Sequence, residues 1–93
     1  MIVRDAKGTE IKLDFRYSKR GKLITTRCDL KYPDFTDPYR VEINKAFADQ
    51  HNKAIARKEA LTKLLKKMKT SSKQFGKEDR KAIWESYLSQ VRH

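Results

Sequence analysis

Residues 9–30, TEIKLDFRYSKRGKLITTRCDL, contain the pattern that decides the fold. Apolar and charged side chains alternate through the first half, which is the period of a strand with one buried face. The apolar positions are Ile11, Leu13, Phe15 and Tyr17. A turn over residues 18–21 ends in glycine, which can adopt the left-handed conformation of short hairpin loops. That turn would place Ile24 opposite Phe15 and match apolar positions on one face, so we predict an antiparallel hairpin.

A third strand is predicted on the N-terminal side of this hairpin. Residues 1–4 form a short strand in this prediction, and residues 5–8, which end in a second glycine, form a turn. The sequence therefore predicts an antiparallel β-meander over residues 1–30. Residues 31–40 contain two prolines and three aromatic residues and are predicted to be a loop.

A long helix is predicted after the loop. Thr36 or Asp37 would cap its start, and Pro38 suits the first turn. Apolar residues recur at spacings of three and four towards its end, which indicates one buried stripe. They are Leu61, Leu64, Leu65 and Met68. A continuous helix over residues 38–69 and a helix broken near residue 50 both fit this pattern.

A second, shorter helix is predicted over residues 77–91. Glu78 and Asp79 would lie in its first turn, where negative charge is favourable against the helix dipole. Its expected buried stripe is Ile83, Trp84, Tyr87, Leu88 and Val91. A length of 93 residues favours a single domain. The predicted fold is α+β, an N-terminal three-stranded antiparallel β-meander followed by a long basic α-helix and a short C-terminal α-helix.

The positive charge of the chain is concentrated in one segment. Residues 53–73 contain eight cations and one acid, a net +7 out of +11 for all 93 residues. Lysines scattered for solubility would be spread more evenly along the chain. Clustered cations favour a polyanionic partner, namely nucleic acid, an anionic membrane or an acidic protein surface. We expect nucleic acid and no membrane, because the apolar stripe of the basic helix is needed for the core.

Two groups of cations are the predicted nucleic-acid-binding residues, and they would form one positive surface. The hairpin contributes a tip and an outward face, and the basic helix contributes the side opposite its leucines. The residues are Arg16, Lys19, Arg20, Lys22 and Arg27 on the hairpin, and Lys63, Lys66, Lys67 and Lys69 on the helix. Such cations contact phosphates without reading sequence. A polar outer sheet face and a solvated helix C-terminus are the competing explanations.

Two further features bear on nucleic-acid recognition. A two-stranded ribbon with outward arginines fits the major groove of DNA. In architecture, though not in any sequence motif, it resembles sheet-type DNA readers such as the arm-binding domains of tyrosine recombinases. In the loop, three aromatic rings could stack on unpaired bases or fold over the edge of the core. They are Tyr32, Phe35 and Tyr39.

Catalysis is not expected from this sequence. Asp14 and Asp29-x-Lys31 resemble the carboxylates and lysine of a nuclease metal site, but the predicted register pairs Asp29 with Glu10. Neither His51 nor His93 has an acid or nucleophile at useful spacing. One cysteine, Cys28, with two histidines makes no standard zinc site, so we expect no metal and no cofactor.

The same counts suggest where the protein works and what else it could bind. A lone cysteine and the absence of an apolar segment like that of a signal peptide favour a cytoplasmic protein. The alternative function is a protein-interaction module, such as an inhibitor or adaptor that a mobile element could encode, that docks on an acidic protein or a nucleoprotein complex. The heptad-like run from residue 43 to residue 68 would also allow a homo-oligomer through the long helix.

Overall fold

A four-stranded antiparallel sheet with two helices on one face makes up the fold, in a computed structural model that describes residues 1–46, 53–71 and 75–91. The strands are β1 (Ile2–Arg4), β2 (Glu10–Arg20), β3 (Leu23–Lys31) and β4 (Tyr39–Ala46), and the helices are α1 (Lys53–Ser71) and α2 (Lys77–Gln90). The strands lie in the order of the chain. The predicted α+β class is confirmed, with four strands instead of three.

Strand β4 replaces the first turns of the predicted long helix. Tyr39–Ala46 alternates between the two faces of the sheet, with Val41 buried and its neighbours Arg40 and Glu42 exposed. The β-branched Val41 pairs with Cys28 of β3. The predicted helix start at Pro38 is therefore wrong, because proline here precedes an edge strand, where its missing N–H is tolerated. The predicted break near residue 50 lies outside the described residues.

The β2–β3 hairpin differs from the prediction in register but not in its faces. Arg20 pairs with Leu23, so the loop contains two residues, Gly21 and Lys22, instead of the predicted four. Gly21 has φ +57°, as expected for glycine at the first position of a type II′ turn. Phe15 pairs with Cys28 and not with Ile24. The shift is an even number of residues, so every side chain keeps its predicted face.

The inner face of the sheet and the two helices enclose the core. The helix α1 packs over β3 and β4, and α2 packs beside β1. The predicted stripe of α1 is confirmed, because Leu61, Leu64, Leu65 and Met68 are all buried. In α2, Ile83 and Tyr87 are buried, but Leu88 is 46% exposed and does not belong to the stripe.

The heptad-like run does not form one helix face. Its first member, Ile43, lies on β4, where it pairs with Thr26. Leu61, Leu64 and Met68 are used inside the chain's own core. The run that would allow a homo-oligomer is therefore divided between a strand and a helix, and the apolar members named here face the core. Within the described ranges, no helix is long and apolar enough to cross a membrane.

The turn between β1 and β2 joins the sheet to the start of α2. The carboxylate of Asp79 accepts hydrogen bonds from the backbone N–H of Ala6 (3.1 Å) and of Gly76 (3.3 Å). The carboxylate of Asp5 accepts from the N–H groups of Lys7 and Thr9. Asp79, one of the two acids predicted to interact favourably with the dipole of α2, therefore also holds the turn before β2.

We expect substitutions at Gly21 to destabilise the protein, least for asparagine, more for alanine and most for valine. A side chain there meets open space, so its cost comes from the positive φ and not from a clash. Asparagine tolerates this conformation, alanine should cost about 1–2 kcal/mol of unfolding free energy, and a β-branched residue more. Urea unfolding of the three variants measures the series. Equal stability of all three would contradict the turn conformation.

Cys28 should make stability fall at alkaline pH. Burial, followed by the nearby charges of Asp29 and Asp14, raises the pKa of its thiol to about 12. An unfolded thiol titrates near pH 8.5. From about pH 9 to 12 the unfolded chain therefore binds fewer protons than the folded one, and the free energy of unfolding decreases as pH rises. The decline should be shallower in Cys28→Ala, as measured by urea unfolding at pH 7, 9 and 10.5; parallel profiles would contradict this.

Candidate nucleic-acid interface

The two predicted groups of cations lie on opposite sides of the sheet for most of their length. Arg16 and Arg27 are cross-strand neighbours on the outer face, which no described helix covers. The lysines of α1 lie in the helical layer on the other side. Arg20 ends β2 on the outer face, and Lys19 and Lys22 are exposed beside it at the hairpin tip.

The two groups approach each other at the hairpin end. The guanidinium of Arg57, in the first turns of α1, donates a hydrogen bond to the Tyr17 hydroxyl and lies 5.7 Å from the centre of that ring. The ammonium of Lys53 lies 5.0 Å from the same ring. Cation–π contacts of this kind orient cations on an aromatic surface. The positive charge of α1 therefore continues onto the hairpin at this end.

On the outer sheet face, carboxylates offset part of the positive charge. Asp29 accepts hydrogen bonds from Arg40 at 2.8 and 3.4 Å and lies 3.4 Å from Arg27. This pairing with Asp29 raises the pKa of Arg40. Glu42 pairs across the sheet with Arg27. The outer face is therefore of mixed charge and attracts phosphate less strongly than its arginines suggest.

The nuclease-like residues are closer together than the predicted register allowed. Asp14 pairs directly with Asp29, so the prediction that Asp29 lies opposite Glu10 is wrong. The reason is the two-residue loop, which shifts the whole hairpin. Asp29 forms ion pairs with Arg27 and Arg40. Among the described residues, no group of three or more His, Cys, Asp and Glu side chains is placed to hold a metal ion.

Two of the predicted helix lysines bind the backbone of the sheet. The ammonium of Lys63 donates to the carbonyl oxygen of Glu42, and that of Lys67 to the carbonyl oxygen of Arg40, both at 3.0 Å. Alternate residues of a strand direct their backbone groups to opposite sides. The backbone groups of the odd-numbered residues of β4 point towards β3. The carbonyls of Arg40 and Glu42 therefore point away from β3, at the free edge of the last strand in the sheet. Both lysines therefore have a structural role.

The other predicted lysines, Lys66 and Lys69, are exposed on α1. Lys66 contributes to a groove of about 280 Å³ between the two helices. The described residues that line it include four cations and no carboxylate, and we call it the basic groove. It is lined by Thr62, Leu65, Lys66, Lys77, Arg80, Lys81 and Trp84.

Sequence reasoning missed most of the basic groove. Lys77, Arg80, Lys81 and Trp84 recur at spacings of three and four, which places them on one side of α2. That spacing indicates a basic stripe. It is easily overlooked, because the apolar pattern of α2 predicts that Trp84 is buried and the acids of the helix balance its cations. Trp84 is half-buried: its ring packs on Tyr87 with centroids 5.9 Å apart, and part of it remains in the groove.

The aromatic loop residues lie in an acidic setting. The rings of Tyr32 and Phe35 are 5.7 Å apart, and those of Phe35 and Tyr39 are 6.2 Å apart. They line a pocket of about 240 Å³ that also contains Asp5, Asp34 and Asp79. Burial raises the pKa of Tyr32, and the charges of Asp5 and Asp79 add to the shift. Base stacking on these rings stays a prediction, and the carboxylates would repel the phosphates of a bound strand.

The chain has no significant match among protein-family models, curated proteins or solved structures. Its functional residues are therefore identified from charge, exposure and contacts alone. The basic groove, with exposed Lys69 close by on α1, is the described surface where cations from both helices come together.

Replacing the two β4-binding lysines by methionine should affect stability more than replacing their neighbours. Lys63→Met with Lys67→Met removes two hydrogen bonds to backbone carbonyls and should cost about 0.5–1.5 kcal/mol per bond at most. Lys66→Met with Lys69→Met removes the same charge from exposed positions. Urea unfolding compares the pairs, and equal losses would contradict a structural role for Lys63 and Lys67.

Proposed function

We propose that this chain is a non-enzymatic nucleic-acid-binding protein whose main phosphate contacts come from the helical layer. The contacts are assigned to the basic groove and to the adjacent exposed Lys69. Lys63 and Lys67 contribute positive potential beside them while they hold β4. This proposal keeps the function predicted from the sequence and moves its centre from the hairpin and α1 to the surface shared by α1 and α2.

One observation carries this proposal: cations from two helices line one groove, and none of the described lining residues is a carboxylate. Like charges brought together by folding repel each other, and the repulsion is reduced when an anion binds between them. A nucleic-acid strand supplies regularly spaced phosphates and releases its counterions when lysines replace them. The resulting affinity depends on charge density and requires no base reading.

The hairpin cations have a supporting role in this proposal. Lys19, Arg20 and Lys22 lie at the end where Arg57 brings the charge of α1 onto the hairpin, so a strand that leaves the helical layer there would meet further cations. Arg16 and Arg27 lie on the outer face, where Asp29 and Glu42 offset them. We expect these two arginines to add to long-range attraction more than to direct contact.

Removing two groove lysines should weaken binding and its dependence on salt. Lys66→Gln with Lys81→Gln should lower affinity for a labelled 20-nucleotide strand and reduce the slope of log affinity against log salt by about 1.4, because two phosphate contacts are lost. The matched control is Lys12→Gln with Lys31→Gln, which removes the same charge from cross-strand neighbours on the outer face. Fluorescence anisotropy between 50 and 200 mM salt provides the measurement.

Two outcomes would contradict the proposal. If both double variants weaken binding equally, net charge and not the basic groove determines affinity. If the unmodified protein does not bind nucleic acid at low salt, the alternative is favoured, in which the cations dock on an acidic protein. Affinity capture before and after nuclease treatment then separates a protein partner, which stays bound, from partners held through nucleic acid.

A further inference from the structure

We infer that the basic groove selects single-stranded nucleic acid and stacks one of its bases on Trp84. This inference rests on the proposed function and specifies its ligand. Trp84 packs against the core with part of its side chain, and the base would stack on the part that stays exposed. Double-stranded nucleic acid keeps its base faces covered, so only an unpaired base can use such a surface.

The position of Trp84 in the fold supports stacking. Its ring packs on Tyr87, which belongs to the core, and this contact holds the indole in place from one side. The exposed part of Trp84 lines the groove, together with Lys66 from α1 and with Arg80 and Lys81 one turn earlier on α2. A base on the indole would therefore have cations within reach of the phosphates on either side of it.

The size and chemistry of the groove also fit one unpaired nucleotide. Its volume of about 280 Å³ is slightly below that of small-molecule sites, which run from about 300 to 1,000 Å³. A double helix could touch the rim of such a groove but could not enter it. An aromatic platform within a positive groove is the usual arrangement in proteins that bind single strands without sequence preference.

Arg80 lines the groove with part of its guanidinium buried. Its Nε atom is buried and has no hydrogen-bond partner among the described residues. A ligand in the groove would not reach this buried atom, so the expected contacts are made by the other nitrogen atoms of the guanidinium. Phosphate oxygens at the groove would satisfy the remaining N–H groups of the same side chain.

The aromatic loop is a weaker site for the same ligand. Its rings are surrounded by Asp5, Asp34 and Asp79, whereas the described residues that line the basic groove include no carboxylate. A strand bound at the loop would bring its phosphates close to three acids. The groove therefore combines an aromatic surface with four cations, whereas the loop pocket combines its rings with one lysine, Lys7, and three acids.

The test uses the intrinsic fluorescence of the unmodified protein, because Trp84 is the only tryptophan in the chain. Titration with a 12-nucleotide oligothymidylate should quench its emission, with the same midpoint as the anisotropy of a labelled strand. A strand of equal length and charge with abasic sites in place of the bases should bind about fivefold or more weakly and leave the emission unchanged. A duplex of the same length should bind without quenching.

Variants at position 84 provide the second measurement. Trp84→Leu should weaken binding of the oligothymidylate about fivefold or more and leave duplex binding unchanged, whereas Trp84→Phe should retain most of the affinity. Circular dichroism and thermal unfolding establish that both variants are folded. If Trp84→Leu does not fold, the abasic comparison in the unmodified protein still decides the question.

The outcomes separate this inference from the proposed function. Equal affinity for the thymidylate and abasic strands, or binding without any change in tryptophan emission, would overturn the stacking inference while nucleic-acid binding stands. Quenching by the duplex to the same extent would overturn the selection of single strands. Failure of all three nucleic acids to bind at low salt would overturn both the inference and the proposed function.

Discussion

The pairing of β3 with a strand on each side is the constraint on which the rest of the structure depends. A two-residue loop connects β3 to β2, with which it pairs on one side. On its other side β3 pairs with β4 through eight successive residue pairs. Because side chains alternate along a strand, these two registers decide which residues of three strands point inward. The inner face gives the leucines of α1 a surface to cover, and covering it turns the lysines of that helix outward. The basic surface is thus a consequence of the strand pairing.

Local patterns were enough to predict the faces of the hairpin and the stripe of α1, but not β4. The two faces of the hairpin were predicted correctly although the register was wrong, because the error was an even number of residues. In β4, Val41 and Ile43 do alternate with polar residues, yet Ile43 and Phe47 also have helical spacing, and Pro38 is as acceptable before an edge strand as in a first helical turn. Pairing with β3 decides between these alternatives, and strand preference depends on such distant neighbours.

The candidate site shows the same division between local and distant information. The lysine-rich segment is evident from the sequence, and all four of its predicted binding lysines are exposed. Only the structure shows that two of them, Lys63 and Lys67, bind the backbone of β4. The cations of α2 are unremarkable until the packing of the helices places them beside Lys66. A helical pattern indicates which face is buried but not which other helix lies alongside it. The position of Trp84 in the groove therefore could not be predicted from its own helix.

The contacts of Lys63 and Lys67 with β4 have a consequence for association between copies of the chain. An uncovered edge strand offers its free backbone groups to the strands of other molecules, and charged lysines are a common way to block such pairing. Here two ammonium groups occupy carbonyl oxygens that an incoming strand would need. At the opposite edge of the sheet, β1 is only three residues long. The two lysines that contribute least to direct phosphate contact in our proposal thus protect a highly charged, sheet-containing chain from aggregating through its own backbone.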